Sequence, residues 1–401
     1  MAQQTLLRGG SVIHPGGQVA RTDVLVEDGV IREVGPSVSA PEGAQTVHLA
    51  DLTLAPGFID VHVHGGGGFS LITTDPEHIR AYARWAVSHG VTSFLATICA
   101  DSLEAGIECA HAAAVAAGSV EDGATLLGLN FEGPFVSPDR RGALPPEWLT
   151  EPDLRMLGRL LAAGAGSVRL MTVAPELPGA SAVIGALRDA GVRVSVGHTD
   201  AKYEQAKAAF EAGASHVTHA FNAMRPLHHR EPGPLGAALD SPGVTVEVIA
   251  DGVHLHPAAV HLLVRAFGSA RVCLVTDAVR PAGLDSGTFD IGGQQAKLDG
   301  GSIRLPDGTI AGSAATMDAL VRNLVEWGIA DLATAVTMAS ATPARVVGCD
   351  GTKGSIAPGY DADLVALTDD GRVAATWIGG RLVYEAPDGI IRLGQPSTGR
   401  E

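Results

Sequence analysis

The chain has 401 residues, 46% of them hydrophobic and 18% charged, with a formal net charge of −16. That length can bury one large core and a smaller one, and the composition excludes a disordered chain. The acidic balance argues against nucleic acid or an anionic membrane as partner, and no run of about 18 apolar residues reads as a membrane span.

The opening MAQQTLLRGGSVIHPGG lacks the charged-then-apolar layout of a secretory signal, so a cytoplasmic location is expected. The first 55 residues are β-branched and punctuated by glycine, as in SVIHPGG, TDVLVEDGVIREVG and TVHLADLTLAPG. They predict short antiparallel strands with turns at Asp28-Gly29 and Pro15-Gly16-Gly17. The final stretch, KGSIAPGYDADLVALTDDGRVAATWIGGRLVYE, repeats the style. Both flanks together, 1–55 and 345–401, predict a small β-sandwich domain built from the two termini.

Between them, apolar strands alternate with helical stretches such as DPEHIRAYARWAVSHG and AKYEQAKAAFEAG. The strands fall at 57–64, 92–97, 126–132, 169–175, 193–198, 216–221, 245–251 and 271–277. Eight such units predict an α/β fold, a (β/α)8 TIM barrel over 56–344. Turn signals at Asp299-Gly300-Gly301 and Asp307-Gly308 predict a β-hairpin insertion at about 281–316, placed to form a wall or lid. Four cysteines (Cys99, Cys109, Cys273 and Cys349) have no CxxC or Cys/His spacing and read as small core side chains.

The chemistry gathers at the strand ends. His62 and His64, at i and i+2, share a face of the first barrel strand, and two imidazoles at a barrel mouth can bind a metal ion. Alone the pair says little. The third strand ends in Glu132, a carboxylate leaving an apolar strand, where an unpaired charge is costly and a cation removes the cost. His198, His219 and Asp277 close the fifth, sixth and eighth strands. Histidines, a glutamate and an aspartate at one end of five strands are a metal site. His216 starts the sixth strand, at the far end from His219, and reads as structural or exposed. His254, in Asp251-Gly252-Val253-His254, follows the seventh strand and can reach the mouth, whereas Arg230 lies on the loop after the sixth.

With these segments in view, the chain resembles the amidohydrolase superfamily, and within it the N-acetylglucosamine-6-phosphate deacetylases. The resemblance rests on PGFIDVHVHG, NFEGPF, APE, GHT, THAFNAM, REPG, DGVH, TDA and AGSAATMD, spread over nearly the full length. It implies a main divalent ion on Glu132, His198 and His219, and a second on His62, His64 and Asp277 with Glu132 shared. Zn²⁺ or Fe²⁺ suits these donors, and Co²⁺, Ni²⁺ or Mn²⁺ is compatible, so one or two ions per subunit are expected. The resemblance further implies a small phosphorylated amino sugar as substrate, in amino-sugar catabolism, met by Ala143, Asn222, Ala223, His254, Ile310, Ala311 and Gly312. Arg230 would approach the phosphate from a partner subunit in a homodimer, a role that suits a guanidinium. Asp277 would be the catalytic acid and base for amide hydrolysis, with metal lowering the pKa of water from about 15.7 towards about 7.

One departure stands out. After Arg140-Arg141-Gly142-Ala143 the chain has Leu144, where the family commonly has a histidine. It leaves open another amide hydrolase of the superfamily, such as a dihydroorotase, an allantoinase or an N-acyl-amino-acid deacylase. A non-catalytic scaffold is the remaining alternative, although no expected ligand is missing.

Overall fold

The computed structural model describes residues 4–291, 294–389 and 391–394. Residues 1–3 of the expected amino-terminal flank, 292 and 293, and 390 and 395–401 of the expected carboxy-terminal flank lie outside the described residues.

Eight short apolar segments form a parallel sheet that curls on itself. In order they are Phe58–Val63, Val91–Ile98, Gly123–Phe131, Val168–Val173, Arg193–Val196, His216–Val217, Thr245–Val248 and Val272–Leu274. Each pairs in parallel with its sequence neighbour. Closure comes from main-chain bonds beyond the eighth strand: Asp277 N donates to His62 O at 2.9 Å, and His64 N to Ala278 O at 2.7 Å. A helix follows every strand, from Pro76–Ala86 after the first to Met317–Glu326 after the eighth. The pattern is that of the expected (β/α)8 barrel. The second and third strands run longer than expected, whereas the later ones stop early: the sixth ends at Val217 rather than Phe221, and the eighth at Leu274 rather than Asp277.

Helix caps follow simple chemistry. Asp75, Ser102 and Asp153 accept hydrogen bonds from the first-turn N–H groups of their helices, and Pro76 supplies the fixed φ that a first position favours. At one side of the barrel interior, Ile59, Val61, Leu95, Leu170, Ile249 and Cys273 pack with Ala344 and Val346 of the helix Ala341–Val347.

Both termini contribute to two further sheets. One carries Gln4–Arg8, Asp23–Glu27, Val30–Gly35, Gln45–His48 and Arg392–Leu393; the other carries Ser11–Ile13, Val19–Arg21, Thr53–Pro56, Leu364–Leu367, Val373–Ile378 and Arg381–Glu385. Leu7, Val24, Val47, Leu54, Leu364 and Trp377 share a core between them. The two-residue turn Asp28-Gly29 joins two of these strands with φ of 48° and 84°, the left-handed pair a tight hairpin needs. Between the eighth strand and its helix, Gly287–Ile291, Gln294–Asp299, Ser302–Arg304 and Ile310–Ser313 form a four-stranded antiparallel sheet. None of the helices among the described residues is long and apolar enough to cross a membrane.

Closure also depends on one polar pair inside the wall. Asp60 is fully buried and takes the Thr276 hydroxyl at 2.6 Å and the Thr276 N–H at 3.3 Å. Burial pushes its carboxyl up to about 7 although the Thr276 bonds pull it down. Removing the hydroxyl leaves a buried carboxyl oxygen short of a partner, so Thr276→Val should cost about 1–3 kcal/mol. The expected observation is a lower urea midpoint with an unchanged m-value; an unmoved midpoint would show that closure does not rest on this bond.

Candidate metal centre

Six side chains meet where the barrel strands end. His62 sits near the end of the first strand and His64 just beyond it, Glu132 follows the third, His198 the fifth, His219 the sixth and Asp277 the eighth. All are buried, none more than 8% exposed. Three of them are turned inward by left-handed backbone, with φ of 46° at His198, 22° at His219 and 49° at Asp277. Such backbone is costly for a residue with a Cβ and persists only where neighbours hold it. Here Ser137 N donates to His198 O at 2.9 Å, His219 N to Glu247 Oε2 at 2.9 Å, and Ser313 N to Asp277 O at 2.8 Å.

Glu132 is the hub. Its Oε1 lies 3.0 Å from His198 Nε2, 2.9 Å from His219 Nε2 and 3.5 Å from His62 Nε2. Its Oε2 lies 3.3 Å from His64 Nε2. Asp277 Oδ1 is 3.5 Å from His62 Nε2 and 3.3 Å from His64 Nε2. Two triads therefore share Glu132: one with His198 and His219, the other with His62 and His64.

The far sides of three rings are engaged. His64 Nδ1 donates to Thr97 O at 3.1 Å and His198 Nδ1 to Arg140 O at 2.9 Å, since a carbonyl can only accept. His62 Nδ1 faces Glu247 Oε2 at 2.8 Å. Each Nδ1 proton thus has a place, which leaves the Nε2 lone pair directed inward. His62 Nε2 is buried and has no hydrogen-bond partner among the described residues. His198 Nε2 and His219 Nε2 stand 3.1 Å apart. Metal–nitrogen bonds of about 2.0–2.1 Å in a tetrahedron give ligand edges of about 3.3 Å, so this spacing fits an ion. Burial alone would raise the Glu132 and Asp277 carboxyls, but the surrounding histidines outweigh it and hold both below the usual range. Two ionised carboxylates among imidazole nitrogens are a donor set for a divalent cation.

The centre opens into a cavity of about 260 Å³. Among the residues anticipated for substrate, Ala143, Asn222, Ala223, His254, Ile310, Ala311 and Gly312 line it. Asn222 uses its main-chain N–H on His219 O at 2.9 Å and its side-chain amide on His219 O and Ala220 O, both at 3.2 Å. His254 Nδ1 is held by Asp251 Oδ2 at 2.7 Å, and its Nε2 points to Asp277 Oδ2 at 3.9 Å. Gly312 has no alternative, because φ is 92° and a Cβ would stand 2.6 Å from Val279 Cγ1. Leu144 is 4% exposed and completes an apolar wall. Arg230 is different: it is exposed and does not line the cavity of its own chain.

Sequence reasoning did not reach several neighbours. Cys99 lines the cavity with Sγ 3.7 Å from His64 Nδ1, and Val279 and Thr309 also line it. Glu176 braces the turn after His198, accepting the Asp200 N–H at 2.6 Å and the Thr199 hydroxyl at 2.5 Å. Glu247 and His216 are both fully buried beside His62, so His216 is structural and not exposed. A carboxylate in APE or in Thr-Val-Glu-Val carries no spacing signal; only the fold brings it here.

The profile of the amidohydrolase family matches residues 53–383. An N-acetylgalactosamine-6-phosphate deacetylase of Escherichia coli O157:H7 is 38% identical over 94% of this chain and 98% of its own length. The N-acetylglucosamine-6-phosphate deacetylase of Bacillus subtilis (strain 168) is 35% identical over 96% and 98%. A solved structure superposes with a TM-score of 0.88 at 35% identity, covering 95% of this chain and 99% of the other. It is an aspartate-to-alanine variant of the Mycobacterium smegmatis N-acetyl-D-glucosamine-6-phosphate deacetylase, in complex with N-acetyl-D-glucosamine-6-phosphate. On the barrel, its centre and these likenesses, the chain belongs to the amidohydrolase family, among its N-acetylglucosamine-6-phosphate deacetylases.

Proposed function

We propose that the chain hydrolyses the acetamide of N-acetylglucosamine 6-phosphate, releasing glucosamine 6-phosphate and acetate. The observation that carries this reading is Glu132 shared by two histidine pairs, with Asp277 beside them at the floor of a cavity. Glu132, His198 and His219 would hold a main divalent ion, and His62, His64 and Asp277 a second with Glu132 shared. Zn²⁺ or Fe²⁺ suits these donors best. Bound there, the metal supplies Lewis-acid activation of the acetyl carbonyl and of the attacking water.

The protein's own groups do the rest. Asp277 takes the proton of the attacking water as the new C–O bond forms, then delivers it to the nitrogen as the C–N bond breaks. Its left-handed backbone, clamped at both N and O, keeps that carboxylate facing the cavity. Asp251 steers His254 so that its Nε2 meets the substrate beside Asp277. Ala143, Leu144, Ile310 and Ala311 provide apolar walls for the sugar ring, and Asn222, Ala223 and Gly312 main-chain groups at its edges. The phosphate is met by Arg230 of a second copy in a homodimer. What supports this is its exposure and the fact that its guanidinium makes no ion pair among the described residues. A cytoplasmic setting suits a phosphorylated substrate.

A second reading has its own support. The relative at 38% identity is named for the galactosamine epimer, and Leu144 gives the wall a methyl surface instead of a hydrogen-bonding ring. Acetate release from both 6-phosphorylated epimers, and from unphosphorylated N-acetylglucosamine, separates the readings. Efficient turnover of the gluco phosphate with loss on removing the phosphate is expected. A higher kcat/KM for the galacto epimer would favour the second reading, and indifference to phosphate would sink both.

The role of Asp277 is tested separately. Asp277→Asn should keep the fold and the main ion but lose at least about a hundredfold in kcat. Metal analysis beside steady-state kinetics reads this, and near-normal turnover would remove Asp277 from proton transfer.

A further inference from the structure

Glu247 stands in the middle of the seventh strand, Thr245–Val248, with no exposure at all, and no step of the hydrolysis uses it. Its contacts are specific. Oε2 accepts from His62 Nδ1 at 2.8 Å and from His219 N at 2.9 Å, and Oε1 accepts from His216 Nε2 at 3.1 Å. His216 is in turn fixed through Nδ1, 2.6 Å from Thr245 Oγ1.

A carboxylate can only accept, so it assigns the His62 proton to Nδ1 and frees the Nε2 lone pair. In the neutral ring that lone pair points between Glu132 Oε1 and Asp277 Oδ1, 3.5 Å from each, so that three acceptors converge there and a cation fits between them. The other rings are backed differently. His64 and His198 lean on the neutral carbonyls of Thr97 and Arg140, and His219 Nδ1 has no partner among the described residues. Of the four imidazoles, His62 alone has a full negative charge behind it. A carboxylate in that position fixes the ring and raises the basicity of the ligating nitrogen.

We infer that Glu247 is a positioning residue for the second ion, setting the affinity of the His62–His64–Asp277 side through His62 while touching neither substrate nor metal. The inference rests on the two-ion reading above. It makes the strength of the second site a property of the seventh strand, which the His-Val-His motif does not contain.

Glu247→Gln separates charge from shape. A glutamine carbonyl in the place of Oε2 still accepts from His62 and His219. Its amide meets His216 Nε2, which can switch to accepting, because Nδ1 can donate to Thr245 Oγ1 and that hydroxyl can donate to Ser215 O at 3.3 Å. The metal-free protein and its variants would be titrated with Zn²⁺, with metal analysis and chelator competition reading each dissociation constant. The unliganded forms would be compared by thermal unfolding. Wild type should take two ions per chain. Glu247→Gln should hold the first unchanged and the second about ten- to a hundredfold more weakly, while His62→Asn marks outright loss of the second. If Glu247→Gln does not fold, Glu247→Asp keeps a buried carboxylate on the strand but draws it back from His62, and the same weakening is expected.

An unchanged second constant would overturn the inference. So would equal weakening of both ions with a lower melting temperature, which is the mark of a merely structural residue. A wild type that takes one ion at saturating Zn²⁺ would overturn it together with the two-ion reading. Acetate release by that one-ion enzyme would still leave the deacetylase assignment standing.

Discussion

A carboxylate buried among imidazole lone pairs is repelled by its surroundings unless protons or a cation lie between them. Glu132 is in that position, with four Nε2 atoms within 3.5 Å of its oxygens and Asp277 close by. Out of water, acceptors cannot face one another at this range without large cost. The usual escape, turning one ring away, is blocked. Thr97 O, Arg140 O and Glu247 each hold an Nδ1, and the backbone at His198, His219 and Asp277 is locked in the left-handed region by hydrogen bonds. The barrel wall is thus built around a demand for positive charge, and the eight strands place that demand at one end.

What the chain discloses in one dimension follows from this. A barrel strand buried on both faces reads as a continuous apolar run, and a polar residue ending such a run is conspicuous. His64, Glu132, His198 and His219 were visible in that way. The limits of the strands were not. After Val217 the chain continues with Thr218, His219, Ala220 and Phe221, and the apolar pair prolongs the apparent strand. In the fold that pair belongs to the turn, where Phe221 has φ of 73° and Ala220 N bonds to Glu247 O at 2.9 Å. Glu247 was invisible for the opposite reason. In Thr-Val-Glu-Val a glutamate looks like the solvent face of an alternating strand, and only closure of the sheet brings His62, His216 and His219 to its oxygens.

The mouth of the barrel shows how a distant segment enters the site. Turn residues pointed to a hairpin, and the fold has a four-stranded sheet instead: Gly300 and Gly301 adopt φ of 57° and 78° between Asp299 and Ser302, and two further strands flank that turn. Its last strand, Ile310–Ser313, runs back to the eighth barrel strand, where Ser313 N reaches Asp277 O and Val279 N reaches Ser313 O. One contact therefore sets both the cavity wall and the posture of the aspartate. Because Gly312 has no side chain, that strand can approach Val279 closely enough for the contact to form.

Charge poses the last question, since a chain of net charge −16 must accept a phosphomonoester. Screening helps, because beyond about 8 Å at physiological ionic strength the distant acidic surface matters little and nearby cations decide. Arginines lie on several loops around the mouth, and most are committed; Arg280, after the eighth strand, donates to Gly68 O at 2.9 Å. Arg140 pairs with Asp200 at 2.7 Å, and Arg225 with both Asp200 and Glu231. Arg141 turns to Leu144 O at 2.8 Å. Those ion pairs stiffen the loops but leave little positive field to spare. Arg230 is exposed, makes no ion pair among the described residues and does not line its own cavity. On the proposed reading, a guanidinium outside its own cavity meets the phosphate held by a second copy, so an acidic chain gains its anion contact by pairing.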